Sequence, residues 1–505
     1  MLKKLQFLSG KSSLPAYEKV RGIGAISGTD PARRGPLTNP KTKAAESSTT
    51  EQSTAMSEPI TVVIIGAGQR GKAYGRYAVA YPQMCKIVAV AEPRPRTREY
   101  AIKQHALPEN AVFTSWQDLH AASARSIAET GKPLADALVV SVQDQMHVEV
   151  VEAFAEHGYH ILCEKPLATT PEECIRIADV AKKTGVIFGV GHVLRYSPYN
   201  KAVIEIIRSG QLGKPVNIVH VEPVGYFHFA HSFVRGNWGN KKTSSFSLLT
   251  KSCHDIDILC HYLHPETPKR VSSFGSLTHF RKESKPKAAG DATKCMECSD
   301  ERNCAYSAKK IYVDPVSQGN VGWPAATITD GVPDIESITE AMQGAYGTCV
   351  YESDNDVVDH QVVNLEYSDG STCSFTMVAF TEAICQRWTR IHFTHGELIG
   401  DMDSFTVTDF RTGRTSRSRP EPEDQSGHGG GDWGLMGSFV QAVKEKNQAI
   451  LGTTIDEILK SHLTVFAAEK SRRDGIVINV DEYEKQVRDG MKVNGIDNKP
   501  QETSL

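Results

Sequence analysis

The sequence predicts an α/β chain in which a doubly wound parallel sheet is followed by a second, α+β domain. Three observations predict it. From residue 60 onward, short continuous apolar runs alternate with helix-period segments, the pattern of strands covered on both faces by crossover helices. The first strand-to-helix junction carries Gly66, Gly68 and Gly71. Later the period changes to two, with Ser368-Asp369-Gly370 between alternating runs, a hairpin signal.

Composition bounds the function. A chain of 505 residues, 40% hydrophobic, exceeds a single core and suggests two domains plus extensions. A net charge of -3 offers no basic footprint for nucleic acid. No run of 18 apolar residues is present to span a bilayer. The 11 cysteines are mostly scattered singly, which points to a reducing compartment and a cytoplasmic location.

Residues 1–57 are rich in Lys, Arg, Ser, Thr, Gly and Pro and read as a disordered extension; mitochondrial import through "MLKKLQFLSGKSS" is the alternative. Residues 58–190 form the nucleotide-binding unit. "ITVVIIGAGQRGKAYGRYAVAYPQMCKIVAVAEP" reads as strand, glycine loop, helix, strand. In G-x-G-x-x-G the first glycine permits a tight turn, the second admits a pyrophosphate, and the third lets helix pack on strand. Helix-start N–H groups then bind the anion, so Gln69 and Arg70 also fall at the cofactor. Glu92 ends the second strand, where an acid takes the ribose hydroxyls and favours NAD. Arg94 and Arg96 follow it and keep NADP open.

Strands and helices continue through "NAVFTSWQDL", "ADALVVSV", "QMHVEVVEAFAEHG", "YHILCE" and "PEECIRIADVAKKTG". Ser141, His147, Glu164 and Lys165 fall at or just beyond strand carboxyl ends, where ligands of such sheets lie. A lysine at the mouth of a buried strand either reaches solvent or acts. At this place its ammonium would polarise a carbonyl or stabilise an alkoxide during hydride transfer.

The segments "GAGQRG", "SVQDQMH" with "CEKPLATTPEEC", "GVGHVLRYSP" and "SCHDIDIL" resemble the Gfo/Idh/MocA family of NAD(P)-dependent oxidoreductases, over about residues 58–480. The resemblance implies a Rossmann domain and a C-terminal domain, residues 191–485, built on a large open, mostly antiparallel sheet that covers the nicotinamide. It further implies a homo-oligomer, a carbohydrate or polyol substrate, and hydride transfer at a secondary alcohol. It places Lys165 and His147 near the cofactor and the catalytic histidine of a D-x-x-x-H pattern on His254. Thr250 stands where the family commonly has the aspartate. If the segment is helical, Lys251 and Asp257 lie three positions either side of His254 and could share its face. His254 is expected as general base or acid. Arg195 and Tyr196 open the second domain near the active site, with an ion pair and a packing aromatic as the alternatives. An NAD-dependent glycosidase and a nucleotide-sensing regulator of the same fold are the competing functions.

In "GYFHFAHSFVRGNWGNKK", His228 and Trp238 suit polyol recognition. Cys295, Cys298 and Cys304 form C-x2-C-x5-C in a polar insertion of about residues 281–350. Three thiolates suit a structural Zn²⁺, with His279, Asp291 or a distant cysteine as fourth ligand; an iron–sulfur cluster lacks a fourth cysteine in the segment. His428 and Asp432 precede a helix as caps or approach the substrate. Residues 486–505 read as a polar tail.

Overall fold

The computed structural model describes residues 58–422 and 426–493. The extension expected over residues 1–57 lies outside them. The stretch expected as a polar tail from residue 486 is helical as far as Val493, in a helix over Val480–Val493, and its remainder lies outside the described residues. Val480, Tyr483, Val487 and Met491 form an apolar stripe at helical spacing that packs on the core; between charged residues the stripe reads as polar sequence.

Six strands form the first sheet: β1 (Ile60–Ile65), β2 (Cys85–Ala91), β3 (Val112–Phe113), β4 (Ala137–Val140), β5 (His160–Cys163) and β6 (Phe188–Val190). All neighbours are parallel, in the order β3-β2-β1-β4-β5-β6, the dinucleotide-binding order. The helix after β5, Pro171–Thr184, opens on a capping box between Thr170 and Glu173, with proline in its first turn, and stops at Gly185 with φ +68°. One face of the sheet is closed by a helix far along the chain, Gly431–Glu445. Its Leu435, Met436, Phe439 and Val440 pack on Ile60, Val62, Val139 and Leu162. The expected boundary at residue 190 therefore separates the sheet from part of its own cover, which an apolar sheet face cannot do without.

The second sheet adds β7 (Pro215–Pro223), β8 (Pro268–Ser276), β9 (His360–Tyr367), β10 (Thr372–Val378), β11 (Trp388–Phe393), β12 (Gly396–Gly400), β13 (Phe405–Asp409), β14 (Arg414–Ser418) and β15 (Ile478–Asn479). Their order is β14-β13-β12-β11-β7-β10-β9-β8-β15. Only β10 and β7 pair in parallel; the rest are antiparallel. The β9–β10 hairpin turns at Gly370, φ +85°, as its sequence predicts. Helices Ser247–Leu263 and Ile455–Asp474 pack on this sheet and on each other. Among the described residues no helix is long and apolar enough to cross a membrane.

The return helix is open to test: Phe439→Ala, at a fully buried position, is expected to lower the unfolding free energy by about 3–5 kcal/mol, measured by denaturant titration.

Candidate active site

The glycine loop is built to receive a ligand closely. Gly66 has φ +86°, and a Cβ there would meet the Ser141 carbonyl oxygen at 2.3 Å; one on Gly71 would meet the Gly66 oxygen at 2.1 Å. Ser141 acts from beneath, its hydroxyl donating to the Gly66 carbonyl at 2.6 Å. The helix that follows, Gln69–Ala80, starts at Gly68 with no side-chain cap and no acid in its first turn, so its N–H groups stay available to an anion. Glu92 is buried against the loop. It accepts the Ala67 N–H at 2.8 Å and the Arg94 guanidinium at 2.8 and 3.1 Å. These residues fit a dinucleotide: bare glycines, free helix-start donors and a carboxylate at the end of β2.

Two residues expected at the cofactor have protein partners. The Arg70 side chain turns away from the loop to Glu164, 2.7 Å, and Asp432, 2.9 and 3.0 Å, because two carboxylates outcompete one for it. His147 is fully buried, its Nδ1 2.9 Å from the Pro166 carbonyl oxygen, and so supports the turn after Lys165 from below. Gln69 donates its amide to Ala326 O at 3.4 Å.

Lys165 leaves β5 beside Glu164 and crosses to the second domain. Its Nζ donates to the Thr250 carbonyl at 2.8 Å and stands 5.7 Å from the Trp238 ring centre. Trp238 is itself tied to the first domain, its indole N–H donating to Asp144 at 2.9 Å. Thr250 and His254 lie one turn apart on the helix Ser247–Leu263. The Thr250 hydroxyl turns back to Phe246 O, so this residue offers the site a carbonyl and no carboxylate.

His254 is 4% exposed and its Nδ1 has no hydrogen-bond partner among the described residues. Burial first, then the nearby charge of Lys165, then His428 hold its pKa well below 6.5, so the imidazole is neutral at pH 7 and able to accept a proton. The His428 ring lies 5.7 Å from the His254 ring. His428 Nδ1 is 2.9 Å from Asp432. Burial opposes ionisation of Asp432, but His428 and Arg70 outweigh it and hold the carboxyl well below the usual carboxylate range. Glu164 is lowered likewise, burial being overcome by Arg70 and by the Tyr74 hydroxyl at 2.5 Å. A chain of hydrogen bonds thus runs from His428 through Asp432, Arg70 and Glu164 to the backbone of Lys165, and the His428 ring lies against that of His254.

Below His254 the sheet carries a buried ion cluster. Lys251 Nζ lies 3.0 Å from Glu222 and 2.9 Å from Cys385 Sγ; Arg387 lies 2.8 Å from both Glu222 and Asp255. Lys251, expected at the substrate, is spent on Glu222 and supports the site floor. His228 stands beside it, Nδ1 3.8 Å from Cys385 Sγ, and burial followed by Lys251 hold its pKa well below 6.5.

Arg195, Tyr196 and Asp257, also expected at the substrate, are corrected. Arg195 and Asp257 grip each other bidentately at 2.6 and 2.7 Å, with His192 3.0 Å from the same carboxylate. The Tyr196 hydroxyl donates to Leu451 O at 2.8 Å. All three are buried. An uncompensated charge is too costly in that interior, so each charged group takes the other and neither is left for a ligand.

Sequence reasoning missed Glu222 and Arg387, and set His428 and Asp432 mainly at a helix cap. One signal was available: His220 and Glu222 fall on the buried phase of β7, where apolar residues belong. The reach of the insertion gave none. Its Asp330 accepts the N–H groups of Arg96 and Thr97 at 3.0 and 2.9 Å, capping the helix Pro95–His105, which has no side-chain cap of its own, and its Trp323 ring packs 4.9 Å from that of His228.

A family model described as an oxidoreductase family with an NAD-binding Rossmann fold matches residues 60–192. The putative oxidoreductase YteT of Bacillus subtilis is 22% identical over 313 residues, covering 59% of this chain and 70% of that protein. The rhizopine catabolism protein MocA of Rhizobium meliloti is 32% identical over 150 residues, 30% of this chain and 43% of that protein, so the match spans less than half of MocA. Among solved structures, levoglucosan dehydrogenase in complex with NADH and L-sorbose superposes with a TM-score of 0.61 at 17% identity, over 84% of this chain and 99% of that one; this likeness concerns the fold.

Two outcomes are expected. Asp257→Asn strands the buried Arg195 charge and lowers stability by about 3–5 kcal/mol, read by denaturant titration. For pH the sign follows from His254 and His462, the latter pushed down to about 3 chiefly by burial. The unfolded chain takes up these protons below about pH 6.5 while the folded chain does not. Stability is therefore full above pH 6.5 and falls with acidification by about 1.4 kcal/mol per pH unit for each group, measurable by thermal melts between pH 7 and 5.

Proposed function

We propose that the chain, whose residues 60–192 match the model of an oxidoreductase family with an NAD-binding Rossmann fold, is an NAD-dependent oxidoreductase of the Gfo/Idh/MocA type acting on a secondary alcohol of a sugar or cyclitol. The observation that carries the reading is the meeting of Lys165 with His254. The ammonium of Lys165, at the carboxyl end of β5, is anchored on the Thr250 carbonyl, one helical turn before a neutral imidazole whose Nδ1 has no hydrogen-bond partner among the described residues.

NAD, when bound, supplies the acceptor and donor of hydride. The glycine loop and the free N–H groups at the start of Gln69–Ala80 would hold its pyrophosphate, and Glu92 would hold its adenosine ribose. Lys165 stabilises negative charge on the carbinol oxygen. His254 takes the hydroxyl proton in oxidation and returns it in reduction. His428, held by Asp432, shares the proton load that the family's aspartate carries elsewhere, since Thr250 cannot. Trp238 lies over Lys165 and excludes water, and His228 supplies a neutral hydrogen-bonding edge to substrate hydroxyls. A sugar or cyclitol as substrate is supported by the fold likeness to a levoglucosan dehydrogenase and by this mixture of one indole with several polar edges.

The test is a panel of sugars, cyclitols and glycosides with NAD and NADP, following nicotinamide absorbance and aglycone release together. Net NADH formation supports the reading; aglycone release without it supports a glycosidase instead, and neither signal from NAD-loaded protein supports a regulator. With the substrate found, Lys165→Met and His254→Asn are each expected to lower kcat by about 10² to 10⁴ while NAD binding, read by protein fluorescence, is retained.

A further inference from the structure

The insertion holds a fourth cysteine that completes the C-x2-C-x5-C motif. Cys349, about 45 positions beyond Cys304, lines the same small enclosed cavity as Cys295, Cys298 and Cys304. No disulfide joins any of them. The fourth ligands considered from sequence are elsewhere: His279 Nε2 is engaged by the Tyr351 hydroxyl at 3.2 Å, and Asp291 is exposed and off the cavity wall.

The spacing of the sulfurs speaks to what they hold. Four thiolates closed on one zinc have Zn–S bonds of about 2.3 Å, hence sulfurs about 3.8 Å apart, in a tetrahedron with no free space at its centre. Here no three of the four sulfurs lie mutually within 4.8 Å; among the described residues only His192, Cys253 and His462 do so. Both nitrogens of His462 are already committed to backbone groups, which leaves that trio without a third ligand. The four cysteines are spread around the wall of one small cavity and are not closed on a single point, an arrangement that suits a multinuclear centre with one thiolate per corner.

A second observation points the same way. Arg235 also lines this cavity and is 4% exposed. Its guanidinium donates to the carbonyls of Thr348 and Tyr306 and to Cys295 Sγ at 3.4 Å, and Nη1 has no partner. Among the described residues no carboxylate pairs with it. Glu301 and Asp300 line the same cavity, but Glu301 is paired with Arg302 and Lys309; a buried guanidinium without a contacting anion is disfavoured, and a cluster of thiolates supplies one. The Tyr306 N–H, 3.4 Å from Cys304 Sγ, adds the kind of donor that steadies cluster sulfur.

We propose that Cys295, Cys298, Cys304 and Cys349 ligate a four-iron, four-sulfide cluster whose negative charge is balanced by Arg235. The cluster is structural for the site. Arg235 ends the segment Ala230–Arg235, three residues before Trp238, so the cluster braces the loop that lays the indole over Lys165. The same insertion carries Asp330 and Trp323 onto the cofactor edge and His228, and the cluster fixes its fold.

The test is metal and acid-labile sulfide analysis of the full-length chain purified without air, with its visible absorption spectrum. About four iron and four sulfide per chain, with a broad sulfide-to-iron absorption that Cys349→Ser abolishes and Cys373→Ser, at a buried cysteine of β10, leaves unchanged, is the expected result. One zinc per chain without sulfide overturns the cluster, and so does a folded, metal-free chain whose four thiols react with a thiol reagent. Each readout is independent of turnover, so a failure of the oxidoreductase reading leaves it standing.

Discussion

One hydrogen bond joins the two halves of the chemistry. The Lys165 ammonium comes from the mouth of a parallel strand, and the Thr250 carbonyl comes from a helix lying on the other sheet; they meet at 2.8 Å. A carbonyl so used belongs to a helix whose next turn carries His254. The bond therefore fixes the distance between a cation and a base contributed by different domains. Preorganisation of this kind is how a site is ready for charge that develops only in the transition state.

Around that bond almost every buried charge is matched. Glu164 and Asp432 share Arg70, Glu222 shares Lys251 and Arg387, and Asp257 closes on Arg195. Such pairs add little net stability, since desolvation offsets attraction, yet removing one partner is costly. Their effect is positional. Each holds two side chains in place, and Lys165 and His254, the groups proposed to react, have no carboxylate ion pair among the described residues. Arg235 breaks the pattern, a buried cation with no carboxylate, and it does so where four thiols converge.

The sequence carried the parallel sheet clearly, because strands buried on both faces leave continuous apolar runs and a G-x-G-x-x-G turn has few other uses. The convergence of Lys165 and His254 was legible only through a motif resemblance, since spacing cannot show that positions 165 and 254 are neighbours. Arg195 and Asp257 misled for a physical reason: near a site, a charge that binds substrate and a charge that neutralises its neighbour look the same in one dimension. His428 shows the reverse. It sits among glycines before a helix, which reads as a cap, yet the positive φ of +56° at His428 aims the ring at His254. A distant cysteine was open as a fourth ligand, but chain separation, which the fold erases, gave no means of choosing Cys349 as the one on the same cavity.

The central claim is that Lys165 and His254 address one substrate oxygen. A crystal structure of the ternary complex with NADH and a polyol that the enzyme turns over measures this directly. The account predicts Lys165 Nζ and a His254 ring nitrogen both within about 2.6–3.2 Å of the same oxygen. A bound polyol whose reacting carbon is approached by neither group, or by only one of them, would contradict it.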